Sequence, residues 1–181
     1  MSDRPFTLRQ AREDDFDRWV DLYESVASEG KWIGGEAPVD RDALREGFIG
    51  RLMQAPDRAV MFLAEADGEM IGNLGIENHG GLADLGMMVA HSWRGRGVGS
   101  ALMDAALQWA DQAGAHKLVL QVWPHNEAAI ALYERCGFVE EGRLRRHYRR
   151  RSGELWDAIT MGRVLDQTSP GSPFNGPAER G

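Results

Sequence analysis

Residues 94–99 read Arg94-Gly95-Arg96-Gly97-Val98-Gly99, and an amphipathic helical pattern starts straight after them. Glycines at alternate positions let the backbone come close to a ligand and take positive φ where a turn needs it. A helix beginning there points its unpaired N–H groups and the positive end of its dipole back at the loop, which makes an anion site. Two arginines inside the loop add mobile positive charge. These residue types at this spacing describe a cradle for phosphates.

Two common phosphate loops fit poorly. A P-loop ends in Gly-Lys-Ser/Thr, whereas Gly99-Ser100 follows Val98 here without a lysine. A dinucleotide fingerprint sits after an early strand, with an acidic residue about 20 positions on. Here the loop lies deep in the chain, and the strand after the helix carries Gln121 and no acid.

The surroundings of the loop are more specific. Leu85-Gly86-Met87-Met88-Val89 precedes it as a strand, and Asn126-Glu127-Ala128-Ala129, Leu132-Tyr133 and Gly137-Phe138 follow it. Together these resemble the GCN5-related N-acetyltransferase (GNAT) family. Its acyl-CoA signature is Arg/Gln-x-x-Gly-x-Gly/Ala, with a second Asn-x-x-Ala-x-x-Leu-Tyr-x-x-x-Gly-Phe block downstream. The resemblance covers roughly residues 5–165 and is strongest over 82–142.

The resemblance implies acetyl-CoA as co-substrate, no metal, and an acyl-CoA-dependent N-acetyltransferase acting on a primary amine by direct attack. It implies that two neighbouring strands splay apart and that the co-substrate enters the gap. Backbone groups of Met87, Met88 and Val89 are then expected to bond the pantetheine amides much as an added strand would. The N–H groups of Arg96, Gly97, Val98, Gly99 and Ser100 are expected to take the pyrophosphate. Arg94 is expected to help through its side chain, and Gly95 through the shape of the loop. Asn126 is a good N-cap, and the resemblance adds a cofactor contact to that role. Ala129, one turn on, is small enough to pack against the pantetheine arm.

Tyr133 is the implied general acid, with its hydroxyl beside the coenzyme sulfur. A thiol has pKa about 8.5 and a tyrosine about 10, so protonation of the leaving thiolate is feasible. The base is less specified. A lysine-like amine is harder to deprotonate than a peptide α-amine by roughly 2.5 pKa units, or roughly 3.5 kcal/mol. Asp84, before Val89, is the first carboxylate to consider, acting directly or through water, and Glu77 is the second. A solvated strand-end charge is the other reading of both. His79 and His91 fall in turns and read as surface residues, and no cluster has metal-ligand spacing.

Six arginines lie within Arg143–Arg151. On a regular strand Arg143, Arg145, His147, Arg149 and Arg151 share one face. An edge hairpin paired with acidic partners is one reading, since so many charges cannot be buried unpaired. The other is a guide for an anionic substrate group or for the coenzyme 3′-phosphate.

The stretches Ala83-Asp84-Leu85-Gly86 and Gly153-Glu154-Leu155-Trp156-Asp157 look like bacterial amino-acid N-acetyltransferases, which favours an amino-acid-like small-molecule acceptor. Trp32, Ile33 and Glu36 could line its pocket, or belong to a loop packed over the core. The alternatives are a protein N-terminus, a polyamine or a xenobiotic amine as acceptor, or a non-catalytic acyl-CoA-binding regulator. A nucleotide-binding module is a further one.

Composition agrees with a single globular unit. The chain has 181 residues, 43% of them hydrophobic, and a net charge of −7, which suits one domain with a substantial core. An acidic body argues against nucleic acid as a partner. No apolar run reaches the ~20 residues of a membrane span, and the first residues show no signal-peptide core. The single cysteine, Cys136, reads as a small buried thiol and suits a cytoplasmic protein. Relatives are often dimers, so a homodimer is the expectation by analogy.

The elements that must position these groups follow from periodicity. Phe6 and Leu8 mark a strand, residues 12–28 a helix, and Asp40 the N-cap of a second helix ending near Pro56-Asp57. Two strands flank the turn Ala66-Asp67-Gly68-Glu69, and another spans 82–90. A helix over 98–113 is closed by Gly114. Then come a strand at 117–122, a helix from Asn126 to Cys136, and strands at Phe138–Glu141 and near 154–164. The order β-α-α-β-β-β-α-β-α-β-β predicts an α/β fold with a mixed, mostly antiparallel sheet of about seven strands and about four helices, the GNAT fold. One domain is expected over 1–165, with a disordered, Pro/Gly/Ser-rich tail over 166–181.

Overall fold

The hairpin turn at Asp67-Gly68 shows how local rules set the frame. Both residues have positive φ, 50° and 81°, the combination that matches strand twist in a two-residue turn. It joins β2 (Ala59–Ala66) to β3 (Glu69–His79). The computed structural model describes residues 5–165. The tail expected over 166–181 lies outside the described residues.

Around that hairpin stand β1 (Thr7–Gln10), β4 (Leu82–Val89), β5 (Lys117–Val122), β6 (Val139–Arg149) and β7 (Leu155–Val164). The helices are α1 (Phe16–Ser28), α2 (Arg41–Leu52), α3 (Val98–Gln112) and α4 (Glu127–Arg135). The sheet order is β1-β2-β3-β4-β5-β7-β6. Only β4–β5 is parallel. The expected architecture is therefore present.

Helices cover both faces. On one, Leu74 and Ile76 of β3 and Leu118 of β5 pack with Leu102 and Ala106 of α3 and with Phe138. On the other, Trp19 and Val20 of α1 and Phe48 of α2 pack with Met61, Leu63 and Met88. The first helix starts later than its periodicity predicts, because residues 13–15 form a single 3-10 turn. Asp15 ends that turn buried, and its carboxylate accepts from Arg9, from Arg18 and from the Arg12 backbone N–H. Asp40 caps α2 as expected, accepting from the Ala43 N–H at 3.0 Å.

The feature that makes a site is a failure of pairing. β4 and β5 share three register pairs, Leu82–Lys117, Ala83–Leu118 and Asp84–Val119. Beyond them the strands separate, although β4 stays paired to β3 as far as Val89 and β5 to β7 as far as Val122. The backbone of Leu85–Val89 thus has no strand neighbour on the β5 side.

The arginine segment departs from its expected form. β6 extends to Arg149, and its ladder with β7 is irregular between Leu144 and Tyr148. Arg146 takes φ 52° there. One carboxylate holds the kink: Asp157 accepts from the Arg146 N–H at 2.7 Å and from Arg143 Nε at 2.8 Å. An uninterrupted alternating face of arginines is therefore not formed, because the extra residues break the two-residue period.

Candidate active site

α3 begins at Val98 with Gly97 as its N-cap, in the left-handed region at φ 84° and with no side-chain cap. The first intrahelical bond runs from the Ala101 N–H to the Gly97 carbonyl at 3.0 Å. The N–H groups of Val98, Gly99 and Ser100 have no acceptor within the helix. Gly95 also has positive φ, 73°. Gly99 serves a different need. A Cβ there would stand 2.9 Å from Leu132 Cδ2 and 3.7 Å from Met87 Sδ, so a side chain at this position would have to displace Leu132 where α3, α4 and β4 converge.

This loop opens on a cavity of about 1040 Å³. Arg94, Gly95, Gly97, Gly99 and Ser100 line it, with Met87, Met88 and Val89 from β4 and Gln121 and Val122 from β5. From α4 come Ala129, Leu132 and Tyr133, with Asn126 at its cap. Asn126 Oδ1 accepts from the Ala129 N–H at 3.3 Å, a capping bond that orients the helix toward the gap. Val98 turns its side chain into the core instead, and Arg96 lies outside the lining, 5.4 Å over the Trp93 ring.

Arg94 differs from expectation. Its Nη1 and Nη2 donate to the two oxygens of Glu29 at 2.7 and 2.6 Å, and its Nε to the Val89 carbonyl at 3.1 Å. The side chain that was expected to reach toward phosphate is committed to the end of α1. The signal that could have revealed this, a glutamate at the end of α1, is 65 residues away in sequence.

Tyr133 is brought to the cavity but is only 6% exposed. Burial pushes its phenol up to about 12, and the nearby Cys136 adds to the shift. Its proton is held throughout the neutral range, which is what a donor to a thiolate requires. Cys136 itself is half-buried and outside the lining, with its thiol pushed up by burial.

Asp84 is not brought to the cavity. It sits at the closed end of the β4–β5 pair, its carboxylate half-exposed and 3.2 Å from His79 Nε2. Glu77 is likewise outside the lining and pairs with Arg51. Neither candidate base lines the cavity, since both lie on the paired side of the point where the strands part. His79 and His91 are exposed, as expected.

Part of the cavity wall is aromatic. Trp19, Tyr23, Trp32, Trp123 and Tyr148 line it with Ile33, Met61 and Asn73. Trp32 and Ile33 were expected, whereas Glu36 instead accepts from the Arg151 N–H at 3.0 Å. Trp19, Arg51, Asn73, Gln121 and Tyr148 were missed. They lie on three strands and two helices with no shared motif, and only the fold gathers them. Gln121 accepts from the Tyr148 hydroxyl at 2.6 Å. Tyr23 runs so close to Gly35 that a Cβ there would stand 2.2 Å from its hydroxyl.

The charged side chains lining the cavity are Arg51, Arg94 and Arg135; among the described residues no carboxylate or imidazole does so. No group of three His, Cys, Asp or Glu among them could hold a metal ion. No helix is long and apolar enough to cross a membrane.

Comparison with known proteins agrees with this geometry. The model of the Acetyltransferase (GNAT) family matches residues 12–138. YwnH of Bacillus subtilis (strain 168), whose provisional name is phosphinothricin acetyltransferase, is 28% identical over 166 residues, 88% of this chain and 99% of its own. The L-amino acid N-acetyltransferase AaaT of Escherichia coli (strain K12) is 36% identical over 104 residues, 54% of this chain and 64% of its own. A GNAT superfamily phosphinothricin acetyltransferase from Sinorhizobium meliloti, solved with acetyl-CoA, superposes with a TM-score of 0.79 at 20% identity, covering 95% of each chain. The chain belongs to the Acetyltransferase (GNAT) family and is an acyl-CoA-dependent N-acetyltransferase.

Proposed function

We propose that the protein transfers an acetyl group from acetyl-CoA to the primary amine of an amino-acid-like small molecule, by direct attack and with Tyr133 as general acid. The observation that carries this reading is the opening of the sheet between β4 and β5, with the glycine loop and Tyr133 on the same cavity. The residues present suit the co-substrate. Free N–H groups at the start of α3 fit its pyrophosphate, unpaired backbone on β4 fits its amides, and Gly99 leaves the approach bare. The names of YwnH and AaaT favour an amino-acid-like acceptor.

Acetyl-CoA supplies the thioester. Attack forms the C–N bond and breaks the C–S bond, and the departing sulfur takes the Tyr133 proton. The amine's surplus proton passes to solvent, and Tyr133 is reprotonated from there. Because no carboxylate or imidazole lines the cavity among the described residues, the amine enters in its neutral form. Val89 and Met88 hold the backbone against which it approaches.

A homodimer in a reducing cytoplasm is part of the same proposal, resting on the single cysteine and on family resemblance. The test is acetyl-CoA-dependent thiol release at pH 8 over separate pools of amino acids, polyamines, peptides and aminoglycosides. Release with the amino-acid pool is expected. Release confined to another pool reassigns the acceptor, and silence with retained acetyl-CoA binding favours a non-catalytic sensor.

A further inference from the structure

Among the described residues, Arg51 is a cavity-lining cation whose guanidinium lies over the bare backbone of Gly75. It comes from the last turn of α2, and its Nε donates to Glu77 Oε1 at 2.7 Å, with Nη2 closing on the same oxygen. Its Nη1 lies 3.5 Å from the point where a Cβ on Gly75 would stand. Among the described residues Nη1 donates to no protein acceptor. Gly75 pairs with Gly86 across β3–β4, and Asn73 with Met88 beside them. Two bare residues therefore form a hollow under the guanidinium. All four of these residues and Arg51 line the cavity. Trp19 lines it as well, and its buried indole N–H has no hydrogen-bond partner.

We propose that Arg51 is a specificity-determining residue that binds the carboxylate of the acceptor, so that the acceptor is a free amino acid with an apolar side chain. This rests on the acetyl-transfer reading above. Glu77 occupies one edge of the guanidinium and fixes its plane, leaving the other edge for a ligand. A planar fork can serve two carboxylates at once. Arg9 does so in this same chain, donating to Asp15 and Glu65.

Position agrees with this role. Gly86 and Met88 lie two residues apart on one face of β4, about 7 Å. A carboxylate on Arg51 thus leaves an α-amine directed toward Met88 and Val89, at the open side of the strand. The side chain then meets Trp19, Tyr23 and Met61. A polyamine brings a second ammonium to Arg51 instead, in a cavity lined by no carboxylate among the described residues.

The test compares L-leucine and L-phenylalanine with isoamylamine and phenethylamine, which keep each skeleton and lack the carboxylate. In the wild-type protein kcat/KM, referred to the concentration of neutral amine so that the lower basicity of the α-amino group cancels, is expected to favour each amino acid by at least about tenfold, the scale of a charge-assisted hydrogen bond. Arg51→Gln is expected to collapse that ratio toward one, and Arg51→Lys to restore part of it. Equal use of both classes by wild type overturns the proposal without reliance on any variant, as does a ratio unchanged in Arg51→Gln.

Silence with every amine overturns the acetyl-transfer reading instead. Calorimetric titration of L-leucine into coenzyme A-saturated protein then decides the role of Arg51. Binding that weakens at least about tenfold in Arg51→Gln upholds it, and binding that is absent or unaltered overturns it.

Discussion

Arg94, the first residue of the glycine loop, grips Glu29 with both terminal guanidinium nitrogens, at 2.7 and 2.6 Å. The same guanidinium stands 5.5 Å from the Trp32 ring. Trp32 Nε1 also donates to Glu29, at 2.7 Å. One carboxylate thus ties the glycine loop to the loop over residues 30–36 that roofs the cavity. His125 holds that loop from a second side, its Nε2 2.9 Å from the Lys31 carbonyl oxygen.

Glu29→Gln is expected to loosen the roof. A bidentate pair of this partial exposure contributes about 1 kcal/mol, so amide exchange over residues 30–36 should quicken about fivefold. The KM for the amine should rise with it. Unaltered exchange would separate Glu29 from the order of the loop.

Tyr133→Phe is expected to lower kcat by about 10²–10⁴-fold while leaving acetyl-CoA affinity in place. Because burial pushes the phenol up to about 12, deprotonation of Tyr133 should not produce a falling limb in kcat below about pH 10. The rising limb should follow the amine's own pKa. A profile measured from pH 6 to 10 with two amines of different basicity checks both statements.

Gly99→Val is expected to raise the Kd for acetyl-CoA by at least about tenfold, or about 1.4 kcal/mol. The added atoms meet Leu132 and Met87 and push α4 away from the loop. Calorimetry on the variant, with circular dichroism to verify folding, reads the effect.

Acid stability should depend on Asp15. Hydrogen bonds from Arg9, then from the Arg12 backbone and Arg18, hold its carboxyl far below the usual range, and Arg9 lowers that of Glu65. A depressed folded-state pKa contributes stability that is present above the unfolded pKa and lost as pH falls. The melting temperature should therefore hold from pH 7 to about 5 and fall below about pH 4. Asp15→Asn should cost about 3 kcal/mol near neutrality, about 6–12 °C in Tm, and flatten the acid limb. Melting curves across pH for both proteins decide it.

Arg150 was legible only as one of a run, yet it is 5% exposed. Its guanidinium lies 4.4 Å from a Trp156 ring centroid, and its Nη1 donates to the Gly34 carbonyl at 3.1 Å. A third anchor of the loop over residues 30–36 was thus hidden in what read as an edge hairpin paired with acidic partners or an anion guide. Loop residues 33–34 and the β6–β7 turn are more than 110 positions apart, and nothing in either segment names the other.

What the chain determined by itself is local. The glycine loop and its helix, the Asp40 and Asn126 caps, the Asp67-Gly68 turn and the Asn126-to-Phe138 block all express backbone sterics and side-chain periods acting over a few residues. Their order implied the family and the sheet. Tertiary structure alone decided where β4 and β5 part, and with that the distance of Asp84 from the chemistry. It also gave Arg94 to Glu29 and laid Arg51 over Gly75. An ionic side chain takes the partner that folding brings within reach, and that choice depends on how distant strands register and helices pack.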